Sequence, residues 1–151
     1  MITIITYDNK YQPEFKRLNL EWLDKYNLTE SHDLEILDDP NGTVIAGGGR
    51  IFLAMDDNKV IGTAGLWKKN EEEYELVKMA VDSPYRGQGI SKTLLNRCLE
   101  EARKQNAKKI FLYSNSQLET ALKLYEKYGF RHVPVGNAPF ATADVKMELI
   151  L

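Results

Sequence analysis

The stretch Ser83-Pro84-Tyr85-Arg86-Gly87-Gln88-Gly89-Ile90-Ser91 joins an extended apolar run, Leu76-Val77-Lys78-Met79-Ala80-Val81, to a long helical pattern that begins near Gly89. A strand that turns through glycines into a helix leaves the first helical amides without intrahelical partners, and the helix dipole adds partial positive charge at that end. Such a junction can cradle a phosphate group. Gly87 and Gly89 can adopt positive φ and let the backbone approach a bulky anion, while Arg86 supplies a permanently charged donor fork. A tight turn that only caps a surface helix uses the same residues, so the surrounding pattern has to decide.

Downstream, Leu94, Leu95, Cys98, Leu99 and Ala102 recur at helical spacing, and Lys109–Ser114 returns as a strand, which makes a β-α-β unit with a parallel pair. Gln117–Tyr128 reads as the last helix, with Gly129 at its C′ position. Phe130–Val135 and Asp144–Leu151 read as closing strands around a loop holding Pro134, Gly136 and Pro139. Upstream, Ile51–Met55, Val60–Lys68 and Tyr74–Val81 alternate as strands, the first two joined by Asp56-Asp57-Asn58-Lys59, and should form an antiparallel meander. A strand over residues 2–7 precedes an amphipathic helix from about Pro13 to Tyr26, with Phe15, Leu18, Trp22, Leu23 and Tyr26 on one face. A short helix is predicted from an N-cap at Ser31 to about Asp38, turning Leu34 and Leu37 inward. The fold class is therefore α/β (α+β): a mixed, mostly antiparallel central sheet flanked by helices.

Length and charge narrow the function. At 151 residues the chain fits one domain over 1–151 and can bury roughly 68–70% of its unfolded surface. A net charge of −2 speaks against nucleic acid as an obligatory partner. The single cysteine excludes an intrachain disulfide and a multi-cysteine zinc site, in keeping with a cytoplasmic location. Neither a signal peptide nor a membrane span is legible, so no membrane partner is expected. No Gly-Lys-Ser/Thr ends the glycine turn and no third glycine follows, which sets aside P-loop and dinucleotide-binding readings.

With these elements in this order, Arg86-Gly87-Gln88-Gly89-Ile90-Ser91 and the later Leu124-Tyr125-Glu126-Lys127-Tyr128-Gly129-Phe130 resemble the GNAT superfamily of acyl-CoA-dependent N-acetyltransferases over essentially the whole chain. The family's cradle places Gln or Arg, Gly, and Gly or Ala where Arg86, Gly89 and Ser91 stand; Ser91 is a small departure. The resemblance implies a strand pair that splays to admit the pantetheine arm of acetyl-CoA. Met79, Ala80 and Val81 would pair with that arm, and the amides of Arg86, Gly87, Gln88, Gly89, Ile90 and Ser91 would hold the pyrophosphate. Lys92 either neutralises a further phosphate or is simply solvated. Asn115 either binds the pantetheine amide or orients a water, or it serves the start of the following helix.

The implied chemistry needs a deprotonated amine, because an alkyl ammonium cannot attack a thioester. Glu75 matches the family's glutamate base and should alternate onto the face of Val77, Met79 and Val81; a solvated charge at a strand end is the other reading. Tyr125 matches the family's proton donor to the departing thiolate, although it also belongs to an apolar helical face where it could simply pack. A backbone amide near Met79 or Ala80 would hold the oxyanion. Cys98, among leucines, reads as a structural thiol, and His32 and His132 as isolated, so no metal is expected. Glu30, Asp33, Glu35, Asp38 and Asp39 form an acidic segment that would either favour a cationic amine or be a solvated helix face. The segment Gly47-Gly48-Gly49-Arg50 is an acceptor gate or a turn.

The resulting expectation is acetyl transfer from acetyl-CoA to a small-molecule or peptide amine in a ternary complex. A non-catalytic acyl-CoA sensor and a ligand-free structural domain are the other classes, and the terminal strands leave room for a homodimer.

Overall fold

The computed structural model describes residues 1–138 and 141–151; the Pro139 expected in the last loop lies outside the described residues. Seven strands form one sheet in the order β1-β2-β3-β4-β5-β7-β6. They are β1 (Ile2–Thr6), β2 (Arg50–Asp56), β3 (Lys59–Lys68), β4 (Glu73–Val81), β5 (Lys109–Ser114), β6 (Arg131–Val133) and β7 (Val145–Ile150). Neighbours are antiparallel throughout except β4 and β5. Of the two expected closing strands, β7 is internal and the short β6 forms that edge of the sheet.

Strand alternation explains two cores on two faces. Ile51, Leu53 and Met55 of β2 join Phe15, Ile36 and Leu37 from helices α1 (Gln12–Lys25) and α2 (Ser31–Asp38). Phe52 and Ala54 point the other way and join Leu94, Leu95, Cys98 and Leu99 of α3 (Ile90–Lys104), with Tyr125 of α4 (Glu119–Lys127). Cys98 is fully buried and its thiol is pushed up to about 12 by that burial, so it is a packing residue.

Helix α2 differs from its sequence reading in two ways. Its N-cap is Glu30, not Ser31: the Glu30 side chain accepts from the Asp33 amide while Asp33 Oδ2 accepts from the Glu30 amide, 2.9 Å, a reciprocal box. Its inner face is Asp33, Ile36 and Leu37, and Leu34 is exposed. The glycines at 47–49 form a turn, with the Gly48 and Gly49 amides donating to Ile45 and Val44 carbonyls, and they line neither cavity described below. Between α2 and that turn, Asn41–Ile45 make one wide helical turn.

Candidate active site

The parallel ladder between β4 and β5 holds for three residue pairs, Glu73 with Lys109, Tyr74 with Ile110 and Glu75 with Phe111, and then stops although both strands continue. A cleft opens beyond it. Its shape is set on the β4 side by a bulge: Thr63 pairs with Ala80 and Gly65 with Val77, so Lys78 and Met79 oppose the single residue Ala64. Lys78 takes φ +53, left-handed backbone that a non-glycine residue adopts only when its surroundings compel it. Thr63 Oγ1 compels it by donating to the Lys78 carbonyl, 2.7 Å, and Asn19 Nδ2 of α1 donates to that hydroxyl, 3.1 Å.

The extra residue reverses the alternation. Tyr74 and Leu76 before the bulge and Met79 and Val81 after it belong to one core, so Glu75 does not share a face with Met79 and Val81 as expected. Instead Glu75 and Lys78 line a cavity of about 120 Å³ beneath α1 and α2, together with His32, Asp33, Tyr113 and Asn115. On the other side of Met79 lies a larger cavity of about 560 Å³. Four side chains line both: Trp22, Met79, Leu118 and Tyr125.

Of the residues expected to hold a cofactor, Met79, Ala80, Val81, Arg86, Gly87, Gly89, Ile90, Ser91 and Lys92 line the larger cavity. Gln88 does not, and Asn115 lines the smaller one. Both ends of the Asn115 amide are spent: Nδ2 donates to the Thr142 carbonyl, 2.8 Å, and Oδ1 accepts from the Gln117 amide, 3.0 Å. Gly87 and Gly89 each take φ +79, Gly89 is the N-cap of α3, and a Cβ at either would meet nothing within 4 Å. The space that a side chain would fill is open, and the first amides of α3 have no side-chain cap, which fits an anion at this end. Arg86 Nε donates to the Val81 carbonyl, 3.3 Å, and its guanidinium lies 4.6 Å over the Trp22 ring.

Tyr125 stands where the cavities meet. It is 7% exposed, its hydroxyl is 3.7 Å from Met79 Sδ, and burial holds its phenol well above the ordinary range, so it is a neutral donor. Its backbone is fixed by a helix C-terminal motif: the Phe130 amide donates to the Tyr125 carbonyl, the Gly129 amide to that of Glu126, and Gly129 takes φ +96. Glu75 is 6% exposed; burial raises its carboxyl, and Lys69, Lys78 and Lys146 pull it back. Lys69 is the nearest cation, at 3.9 Å. A buried carboxyl with a raised proton affinity is suited to general-base work near neutrality.

Sequence reading missed three things here. One is Trp22 as a wall of both cavities; its place on the apolar face of α1 disguised it as core. Another is the ion pair of Lys78 with Asp33, both side chains nearly buried. The third is that the acids around His32 are engaged elsewhere. Glu30 accepts from the Thr142 amide and hydroxyl and the Ala141 amide, Asp38 meets Lys16 at 2.5 Å, and Asp39 accepts from the Gly42 amide. The histidines are not isolated either: His32 stacks on Trp67 at 6.5 Å and His132 meets Glu126 at 3.0 Å.

Comparison with known proteins completes the description. The family described as acetyltransferase (GNAT) family matches residues 11–130. An N-acetylaspartate synthetase of Rattus norvegicus is 38% identical over 87 residues, 57% of this chain and 29% of that protein. The corresponding Xenopus tropicalis protein is 40% identical over 90 residues, 58% of this chain and 33% of its own length. The chain thus spans about a third of the length of these curated relatives. A crystal structure of an acetyltransferase of GNAT family from Staphylococcus aureus Mu50 superposes with TM-score 0.91 and 26% identity, over 100% of this chain and 99% of that one. A PaiA N-acetyltransferase from Thermoplasma acidophilum, in complex with coenzyme A, shares the fold at TM-score 0.79 and 18% identity, over 100% of this chain and 99% of its own.

Proposed function

The chain belongs to the acetyltransferase (GNAT) family, and from that membership we propose that it transfers an acetyl group from acetyl-CoA directly to a primary amine in a ternary complex. The observation that carries this reading is the pair of cavities meeting at Met79 and Tyr125, one lined by the glycine turn and the uncapped start of α3 and the other by the buried Glu75 carboxyl.

In this reading the larger cavity takes the cofactor. The amides around Gly87 and Gly89 with Arg86 hold its pyrophosphate, and the backbone of Met79, Ala80 and Val81 pairs with the pantetheine arm. The acceptor amine enters the smaller cavity, where Glu75 removes a proton, directly or through water. Attack on the thioester carbon develops negative charge on the carbonyl oxygen, which a backbone amide at the bulge stabilises. As the intermediate collapses the carbon–sulfur bond breaks, and the Tyr125 hydroxyl gives its proton to the departing thiolate. The amine keeps the acetyl group as an amide.

The test is coenzyme A release from acetyl-CoA by the purified chain across a panel of amines, which begins with aspartate because relatives are N-acetylaspartate synthetases. Amine-dependent thiol release with a matching acetylated product supports transfer. Acetyl-CoA binding without release by any amine overturns it in favour of a non-catalytic cofactor-binding domain.

A further inference from the structure

Four side chains stand where the two cavities meet: Trp22 of α1, Met79 of β4, Leu118 at the N-cap of α4 and Tyr125 within that helix. Under the acetyl-transfer reading the thioester lies among them, with its sulfur beside Tyr125 on the side of the larger cavity. The acyl chain then leaves the carbonyl carbon in one of two directions. Back toward the larger cavity it meets the cofactor's own pantetheine arm along Met79–Val81. Forward it enters the smaller cavity, where the amine also has to sit.

That cavity is small and its walls are braced. An apolar cavity of about 150 Å³ holds one benzene molecule, so by proportion the cavity of about 120 Å³ here takes about five heavy atoms. Asn19 Nδ2 donates to the Phe15 carbonyl, 2.9 Å, and to Thr63 Oγ1, 3.1 Å. Asp33 is divided between Lys78 and the Glu30 amide. Thr142 gives its amide and its hydroxyl to Glu30, and its carbonyl accepts from Asn115 Nδ2, 2.8 Å. Asn19, Asp33, Asn115 and Thr142 all line the cavity, and each would have to give up a hydrogen bond before it could widen. Leu118 is the yielding part of the wall. Its backbone is tied, its amide donating to the Asn115 carbonyl at 3.0 Å, but its half-buried side chain has no hydrogen bond to lose.

We propose that the acyl chain and the acceptor share this one volume, so that acyl length and amine size are selected jointly, with Leu118 as the wall that sets their sum. The proposal rests on the acetyl-transfer reading. Beyond the carbonyl, an acetyl methyl leaves room for an amine of about four heavy atoms, and a butyryl chain leaves room for about two. Neither substrate then has a size limit of its own.

The experiment is a two-by-two matrix of acetyl-CoA and butyryl-CoA against methylamine and propylamine, read as kcat/KM. Acetyl with propylamine and butyryl with methylamine each bring about five heavy atoms past the carbonyl, and butyryl with propylamine brings about seven. The crowded pair should fall at least about tenfold below the level that the two single changes predict together, the scale of a methylene in a closed pocket. This coupling is a ratio of ratios, so it does not depend on the fraction of active protein. Leu118→Ala should shrink it and Leu118→Phe should enlarge it, opposite signs that a loss of stability at this position would not give. Coupling near unity in the parent, or coupling that moves the same way in both variants, overturns the proposal.

S-ethyl- and S-butyl-coenzyme A, thioethers that cannot transfer, read the same space without turnover. Propylamine binding, measured by calorimetry, should weaken at least about tenfold from the S-ethyl to the S-butyl complex, while methylamine binding changes little. That result in a protein that turns over no pair upholds the shared volume and overturns only the transfer reading. Propylamine binding that is the same in both complexes, absent binding included, overturns the shared volume.

Discussion

Tyr125 and Phe130 hold one another twice: the Phe130 amide donates to the Tyr125 carbonyl at 3.0 Å, and their rings lie 5.7 Å apart. The motif that ends α4 is thus also what aims the Tyr125 hydroxyl at the junction of the two cavities.

Tyr125→Phe separates aim from chemistry. The ring and both contacts with Phe130 stay, while the hydroxyl beside Met79 Sδ is lost. A fall in kcat of about a hundredfold is expected, the lower range for a positioned proton donor, with cofactor affinity and melting temperature nearly unchanged. An unchanged kcat would assign Tyr125 to packing alone.

Glu75→Gln should abolish most amine-dependent turnover and change the response to pH. Burial raises the folded-state affinity of this carboxyl for its proton. Its contribution to stability is therefore fully present below the unfolded value near 4.5 and is lost as pH rises through the higher folded value. The glutamine variant should gain in stability relative to the parent as pH rises past that point, in urea unfolding series run from acid to neutral pH, while the ascending acid limb of the parent's pH–rate profile should disappear. A stability difference that does not vary with pH would contradict the burial argument.

The Lys78–Asp33 pair should behave as a unit. Asp33→Ala strands a nearly buried ammonium and is expected to cost about 3–5 kcal/mol, whereas Asp33→Leu combined with Lys78→Met should cost much less. Chemical denaturation of both variants measures the difference. Equal losses would mean that Asp33 matters chiefly as the reciprocal partner of Glu30.

Gly89→Ala isolates the cradle. The position has φ +79 and open space around it, so the cost is backbone strain of about 1–2 kcal/mol. The parent should gain roughly 2.7 kcal/mol from acetyl-CoA at a hundred times its dissociation constant. The variant should gain clearly less at the same concentration, as read by thermal unfolding with and without the ligand. An undiminished gain would place the phosphates elsewhere.

Features with a local physical cause were legible in the sequence. Gly89 and Gly129 mark left-handed backbone at the two ends of helices, and the alternation of the meander sets its faces. The bulge was not legible, because its cause is distant: the Lys78 carbonyl is drawn by Thr63, fifteen residues earlier, whose hydroxyl is itself held by Asn19 of α1. One inserted residue then moves Met79 and Val81 to the opposite face from Glu75, which no period-two reading of 75–81 could anticipate. The acidic segment misled for a related reason. Its charges are real, but Glu30, Asp33, Asp38 and Asp39 are spent on partners up to 112 residues away.

Because the ladder between β4 and β5 is only three pairs long, the sheet is in effect two fabrics, β1 to β4 and β5 with β7 and β6, sharing a narrow seam. Along Val77–Val81 and Leu112–Ser114 each fabric has a raw edge facing the other across the cleft. Under the proposed activity the two ligands lace those edges together, coenzyme A along Met79–Val81 and the acceptor beside Leu112–Ser114, so binding stiffens the molecule as well as delivering the acetyl group. Departure of the spent thiol then unlaces the seam, and each catalytic turn includes a cycle of closing and parting.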